Sequence, residues 1–300
     1  MEIFRKLATV LSEGTFKRMT IDEVISICLT AIFKEDIFNE TLYLKGGQAL
    51  RIKENLKSRF SADIDFSTKE KISDGDLFFN NLKESLYAEF SSHSIHLFDF
   101  NPVRRPDTRK EGVPDFWGGW GVTFKLIQAQ KMTLDLAKMR REAIIPAEAS
   151  STNIKLDISE YEYCGSVELV KVNSVSVNVY SRTLLLLEKM RAICQQHSSY
   201  ELTGTDSRAR DYFDIEQLWN KVIQDSNEEP FLEECRKHIK NVFSAKDVDL
   251  VLLEKIFDKD FLEIQKTGWP SVRSTVSGIK VEEFEYYNEV LRQIIKKINL

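Results

Sequence analysis

The chain is short of cysteine, of long apolar runs and of any excess of positive charge, and each shortage closes off a class of protein. Its four cysteines, Cys28, Cys164, Cys194 and Cys235, are scattered with no CxxC pair, which excludes a disulfide framework and a structural zinc site and fits a reducing cytoplasm. No apolar run approaches the roughly 20 residues that a membrane-spanning helix needs. Residues 1–11, MEIFRKLATVL, are too short and too interrupted by charge for a signal sequence. A soluble, cytoplasmic protein without membrane contact is expected. The 42 Lys and Arg stand against 47 Asp and Glu, a net charge of -5, so no uniformly basic nucleic-acid coat exists and any such contact needs a local patch. Neither a GxxxxGK[ST] phosphate loop nor a GxGxxG turn occurs, and there is no internal repeat, low-complexity tract or helix-turn-helix signature.

With 42% hydrophobic residues the chain can bury a substantial core. Residues 1–38 carry helical spacing, with Val24, Ile27, Cys28, Ala31 and Ile32 in one apolar stripe and Asp22 placed to favour the helix start. They predict an N-terminal helical cap. Over 39–182 the pattern changes to short strands at 42–44, 62–66, 95–100, 122–127, 154–158 and 175–179, with helices at 76–90 and 129–141 and an exposed loop over 101–120. This predicts a mixed α/β domain. Residues 183–300 return to helical spacing at 183–242, 247–265 and 281–298, which predicts a helical C-terminal domain.

The chemistry concentrates in residues 44–66, LKGGQALRIKENLKSRFSADIDF. Gly46 and Gly47 follow a strand and open a helix, so the backbone can turn sharply and present free amides to a phosphate. A plain strand-to-helix turn is the other account of a lone Gly-Gly. Asp63 and Asp65 are two apart, so on a strand both carboxylates project from one face while Ile64 and Phe66 pack inward. Two carboxylates on one face repel unless a cation lies between them, and oxygen-only ligands suit Mg²⁺ or Mn²⁺ with a nucleotide's phosphates. Asp157, in the alternating strand IKLDI, is the candidate third carboxylate, and equally a solvent-facing strand charge. In TLLLLEKMRAI (183–193), Glu188, Lys189 and Arg191 follow a run that must be buried, which puts Lys189 at the junction of the two halves. In RARDYFDIEQL (208–218), which opens on Arg208, Asp211 and Asp214 share a helix face. These charges fit either a network of interhelical ion pairs or groups that meet phosphate. His93 and His96 lack a carboxylate cluster for a metal. The GGWG run from Gly118 suits a turn into a strand, and Trp117 and Trp120 suit burial against the sheet better than base stacking.

Taken together, KGGQALR, RFSADIDF, IKLDI, the Glu188-Lys189 pair and RDYFD resemble, in order and spacing, the AbiEii/AbiGii toxin family of nucleotidyltransferases, a branch of the DNA polymerase β-like superfamily. The resemblance implies an α+β fold, a polymerase β-like nucleotidyltransferase domain of mixed sheet and flanking helices followed by a helical C-terminal domain. It implies a toxin of a toxin-antitoxin or abortive-infection antiphage system that moves NMP from NTP to an acceptor hydroxyl, with Mg²⁺ or Mn²⁺ as cofactor. The 3′ end of tRNA would be the first acceptor to test, and an antitoxin encoded nearby the partner. Protein AMP transfer and a catalytically silent nucleotide- or RNA-binding module are the alternatives. Carried over by position, Gly46, Gly47, Gln48 and Lys189 would contact nucleotide, Asp63, Asp65 and Asp157 would bind metal, and these three with Lys189 and Asp211 would serve catalysis; Ser61, just before the Asp-x-Asp, would add a hydroxyl for the nucleotide. Glu188, Arg208 and Asp214 would support them. Gln48 departs from the family pattern, which has a small hydroxyl residue there. Arg51, Lys53, Lys57, Arg59, Arg104, Arg105, Arg109 and Lys110 are the basic groups available to hold RNA, or else solvated faces.

Overall fold

A computed structural model describes residues 18–56, 60–106 and 113–299. The expectations for residues 1–17 and for Lys57, Arg59, Arg109 and Lys110 lie outside the described residues. The first helix of the described residues, α1 (Ile21–Phe33), starts at a capping box in which the Glu23 amide donates to Thr20 Oγ1 and the Thr20 amide donates to the Glu23 carboxylate. A short α2 (Asp36–Thr41) leads to β1 (Tyr43–Lys45), which runs directly into α3 (Gly46–Glu54). There follow β2 (Ile64–Ser67), α4 (Gly75–Ser92), β3 (Ile95–Arg105), β4 (Gly119–Gln128), α5 (Leu136–Arg141), β5 (Ile154–Ser159), β6 (Val167–Val172) and β7 (Val175–Tyr180). The remainder is helical: α6 (Arg182–Cys194), α7 (Ala209–Gln224), α8 (Glu228–Ser244), α9 (Leu252–Lys255), α10 (Lys259–Thr267), α11 (Trp269–Thr275) and α12 (Phe284–Ile298).

The seven strands form one mixed sheet in the order β3-β4-β5-β2-β1-β7-β6. At its centre β2 pairs antiparallel with β1 and parallel with β5. Leu44, Ile64, Phe66, Leu156 and Ile158 are buried, and Phe66 packs on Phe33 of α1 with ring centroids 6.2 Å apart. Their strand neighbours Lys45, Asp65 and Asp157 therefore face the opposite way, toward the helical half. One continuous buried cluster runs from Ile21 to Ile298 through both halves. All four cysteines are free and buried. Burial pushes the Cys164 thiol up to about 11, and it raises the others as well, so none is a reactive thiolate at neutral pH.

Several local expectations are corrected. The stretch 101–120 supplies residues to both β3 and β4 instead of forming one loop. Pro102 is accommodated because β3 is an edge strand, where a missing N–H can face outward. The helical periodicity at 129–141 breaks into a 3₁₀ turn (Ala129–Lys131) and α5, whose start is capped by Asp135 accepting from the Lys138 amide. Edge strand β6 has no counterpart in the sequence reading, since VELVKV buries little on either face and so carries no clean alternation. Asp63 lies just before β2, not within it. Among the described residues no helix is long and apolar enough to cross a membrane.

Candidate active site

Register decides the arrangement. Lys45 lies opposite Asp65 across β1 and β2, and Asp65 lies opposite Asp157 across β2 and β5, so one cation and two carboxylates form a row over three adjacent strands. The row borders a cleft of about 930 Å³ between the sheet and the helical half. Gly46, Gly47, Ser61, Asp63, Asp65 and Asp157 line it from the sheet side, and Glu188, Lys189, Arg208 and Asp211 from the helices.

Two predicted residues lie behind the wall. Gln48 is buried, and its Nε2 donates to the Ser61 carbonyl at 2.6 Å, so the long amide ties α3 to the loop that carries the aspartates. Asp214 is also buried, and its Oδ2 accepts from Lys189 Nζ at 2.7 Å while Asp211 Oδ1 accepts at 2.8 Å. Arg208 Nε donates to the other Asp211 oxygen at 2.6 Å. The ion-pair network and the cleft-lining role thus coincide: Lys189 is pinned by two aspartates and still borders the cleft.

The α3 start explains the paired glycine. Lys45 provides no side-chain cap, so amides of the first turn remain available to a ligand. Gly46 has φ +65°, and a Cβ on it would lie 2.2 Å from Asp65 Oδ2. Gly46 is therefore required twice, for its left-handed backbone and for room beside Asp65. Gly46→Ala is expected to lower stability by about 1 to 2 kcal/mol from the backbone alone and to abolish detectable nucleotide binding by displacing the Asp65 carboxylate. Urea unfolding and titration with labelled NTP check the two effects.

Electrostatics mark the row as short of positive charge. Burial raises Asp65 from an ordinary 3.8 to about 6; Lys45 opposes this, and the negative charges of Asp157, Glu188 and Asp63 add to it. Burial also raises Asp157, against the pull of Arg105. Among the described residues no three His, Cys, Asp or Glu side chains converge as a ready-made metal cluster. The donor set nevertheless fits a hard divalent cation, because the carboxylates are oxygen-only ligands whose mutual repulsion such an ion would relieve.

Beneath the row is an ionic floor that sequence reasoning missed. Lys45 Nζ lies 3.4 Å from Glu162 and 3.3 Å from Glu188. Burial lowers its pKa, and the two carboxylates more than restore it. Arg191 grips Glu162 with both terminal nitrogens, at 2.7 and 3.1 Å, and donates to the Val242 carbonyl at 3.1 Å. Glu162 is held well below the carboxylate range by Arg191, Lys45 and Lys246, although burial alone would raise it. Lys246 donates to the carbonyls of Glu160 and Phe116 and is pulled down to about 8, mainly by burial. A usable signal was a lysine ending an apolar strand and an arginine inside the buried run of α6.

The remaining candidates have other partners. Arg51 pairs with Asp22, Lys53 with Glu54 and Glu168, Arg104 with Glu160, and Arg105 with Asp157; of these four only Arg105 lines the cleft. Trp120 packs on Phe79 at 4.6 Å and Trp117 on Tyr200 at 6.0 Å between ring centroids. Residues Gly119 to Gly121 lie within β4 and not in a turn before it. His96 packs edge-on against Tyr87.

Comparison with known proteins agrees with this architecture. By fold the chain is similar to MenT4, a nucleotidyltransferase toxin of Mycobacterium tuberculosis H37Rv, at 11% identity over 93% of this chain and 83% of that one, with a TM-score of 0.51. At that identity the likeness speaks to the fold alone. An H. pylori protein (18% identity, 85% and 94% of the two chains, TM-score 0.38) and a nucleotidyltransferase-like protein of Paracoccidioides brasiliensis (16%, 77% and 95%, 0.38) align too loosely to carry an argument. No protein of curated function matches the chain in sequence. The profile of the nucleotidyl transferase AbiEii toxin family, type IV toxin-antitoxin system, matches residues 27–288. The chain therefore belongs to the AbiEii family of nucleotidyltransferase toxins of type IV toxin-antitoxin systems.

Proposed function

We propose that the cleft performs metal-dependent transfer of a nucleoside monophosphate from an NTP to an acceptor hydroxyl, and that the acceptor is the 3′ end of a tRNA. The observation that carries the chemistry is the row of Lys45, Asp65 and Asp157 beside the uncapped start of α3, all on one cleft. The tRNA rests on the family resemblance, as does a role in abortive infection.

Asp63 and Asp65, with Asp157 as the third carboxylate, would hold Mg²⁺ or Mn²⁺. Such an ion, when bound, screens phosphate charge and acidifies the acceptor hydroxyl. The first-turn amides of α3 receive the phosphates of the NTP. Gln48 contributes its backbone there while its side chain holds the Ser61 loop. Asp157, raised by burial, accepts the hydroxyl proton as the acceptor oxygen bonds to the α-phosphorus. The bridging bond to the β-phosphate breaks and pyrophosphate leaves. Lys189 and Arg208, held in place by Asp211 and Asp214, are the cations of the opposite wall that can donate to phosphate oxygens.

Incubating the protein with each α-labelled NTP, Mg²⁺ and either total tRNA or cell protein is the test. Label on tRNA, lost when Asp65 is replaced, is the expected result. Label on protein would replace the acceptor with a side-chain hydroxyl, and no Asp65-dependent label on either would reduce the chain to a nucleotide-binding module.

A further inference from the structure

Asp157 differs from Asp65 in already having a guanidinium against it. Arg105, at the end of β3, reaches across β4 and places Nη1 2.8 Å from Asp157 Oδ1. Gly121 makes this reach possible. It stands on β4 directly between the two strands, opposite Val103 on one side and Asp157 on the other. A Cβ at residue 121 would lie 2.4 Å from Arg105 Cζ and Nε and 2.5 Å from Nη2. The guanidinium thus occupies the space that a side chain would take, and an added methyl must push it off. The Arg105 side chain is 57% exposed, so leaving Asp157 sacrifices little burial. It lines the same cleft as the start of α3.

Building on the nucleotidyl-transfer reading, we propose that Arg105 is a stand-in cation for Asp157 that a divalent metal displaces, and that the released guanidinium then binds the polyphosphate of the nucleotide. A guanidinium suits both partners, because its planar fork matches carboxylate and phosphate alike. While Arg105 holds Asp157, the third carboxylate is unavailable and metal alone binds weakly. When a metal-bound polyphosphate enters, one ion pair is exchanged for two contacts, metal to Asp157 and guanidinium to phosphate. Metal and polyphosphate are thereby coupled through one side chain, with opposite consequences for each when it is removed.

The test measures Mn²⁺ binding by the loss of the free-ion EPR signal, and separately the binding of inorganic triphosphate with Mn²⁺ present. Arg105→Ala is expected to tighten Mn²⁺ binding roughly 2- to 5-fold, the scale of a half-exposed ion pair, and to weaken triphosphate binding roughly tenfold. Gly121→Ala keeps the charge and moves the guanidinium off Asp157, so it should tighten Mn²⁺ equally and retain triphosphate. If Gly121→Ala does not fold, Arg105→Gln serves as the second variant, with the expectations of Arg105→Ala. Mn²⁺ binding that needs Asp65 but is unchanged or weaker without Arg105 would overturn the inference and leave nucleotidyl transfer standing. Unchanged triphosphate binding in Arg105→Ala would likewise overturn it. Failure of every variant and of the unaltered protein to bind Mn²⁺ through Asp65 would overturn both.

Discussion

Asp65→Asn is expected to lower nucleotidyl transfer by on the order of 10³-fold, the scale of losing a charge-stabilising group at a reaction centre, while making the protein more stable at neutral pH. The two effects share one cause. Asp65 is raised from 3.8 to about 6 by burial and by its acidic neighbours, so its ionised form is disfavoured in the folded protein. A group with a raised folded pKa binds its proton more tightly when folded, and the stability this gives is complete below the unfolded value and lost as pH rises through the folded one. Above about pH 6 the ionised carboxylate therefore costs on the order of 3 kcal/mol. Asparagine removes that cost. The variant should melt higher than the unaltered protein at pH 7, with the advantage shrinking between pH 6 and 4 and vanishing below about pH 4. Thermal melts across this range check the sign. A variant that melts lower at pH 7 would show that Asp65 is a structural partner of Lys45 and not a strained, cation-seeking carboxylate.

Glu162→Ala should have the largest effect on folding. Its carboxylate is the shared counter-ion of Arg191, Lys45 and Lys246, all buried. Removing it leaves three cations without their common partner in a low-dielectric setting, which costs about 3 to 5 kcal/mol where a buried pair is broken from one side. That is a large part of the 5 to 15 kcal/mol of net stability typical of a domain. The pH dependence has the opposite sign to that of Asp65. The Glu162 pKa is depressed, so its stabilisation is present above about 4.5 and is lost as pH falls toward the lower folded value. Urea unfolding at pH 7 and at pH 4 should show the gap between Glu162→Ala and the unaltered protein narrowing at the lower pH.

What could be read from the sequence depended on how local each signal is. Asp63 and Asp65 are visible as two carboxylates at a spacing of two, one just before and one inside an apolar strand, and the burial of Ile64 and Phe66 follows from that strand's alternation. Gly46 is visible as a turn residue, but its contact with Asp65 is not, since it depends on the pairing of β1 with β2. The burial of Lys45 and Arg191 has a local signal, but their shared partner does not: Lys45 and Glu162 are separated by 117 positions, and Arg191 and Glu162 by 29. Glu162 and Lys246 look like ordinary surface charges until the chain is folded. Gln48 departs from its family's usual residue, and its amide is spent on the Ser61 carbonyl behind the cleft wall. Edge strand β6 and the outer end of β3, residues 101–105, were the least legible, as exposure removes the alternation and permits proline.

Nucleotidyl transfer is tested by comparing α-labelled with γ-labelled NTP in single reactions of the unaltered protein and of folded Asp65→Asn, with Mg²⁺ and total tRNA. Retention of the α-label on tRNA, release of the γ-label as pyrophosphate and loss of both in Asp65→Asn is the predicted result. Transfer of the γ-label, or undiminished transfer by Asp65→Asn, would contradict it.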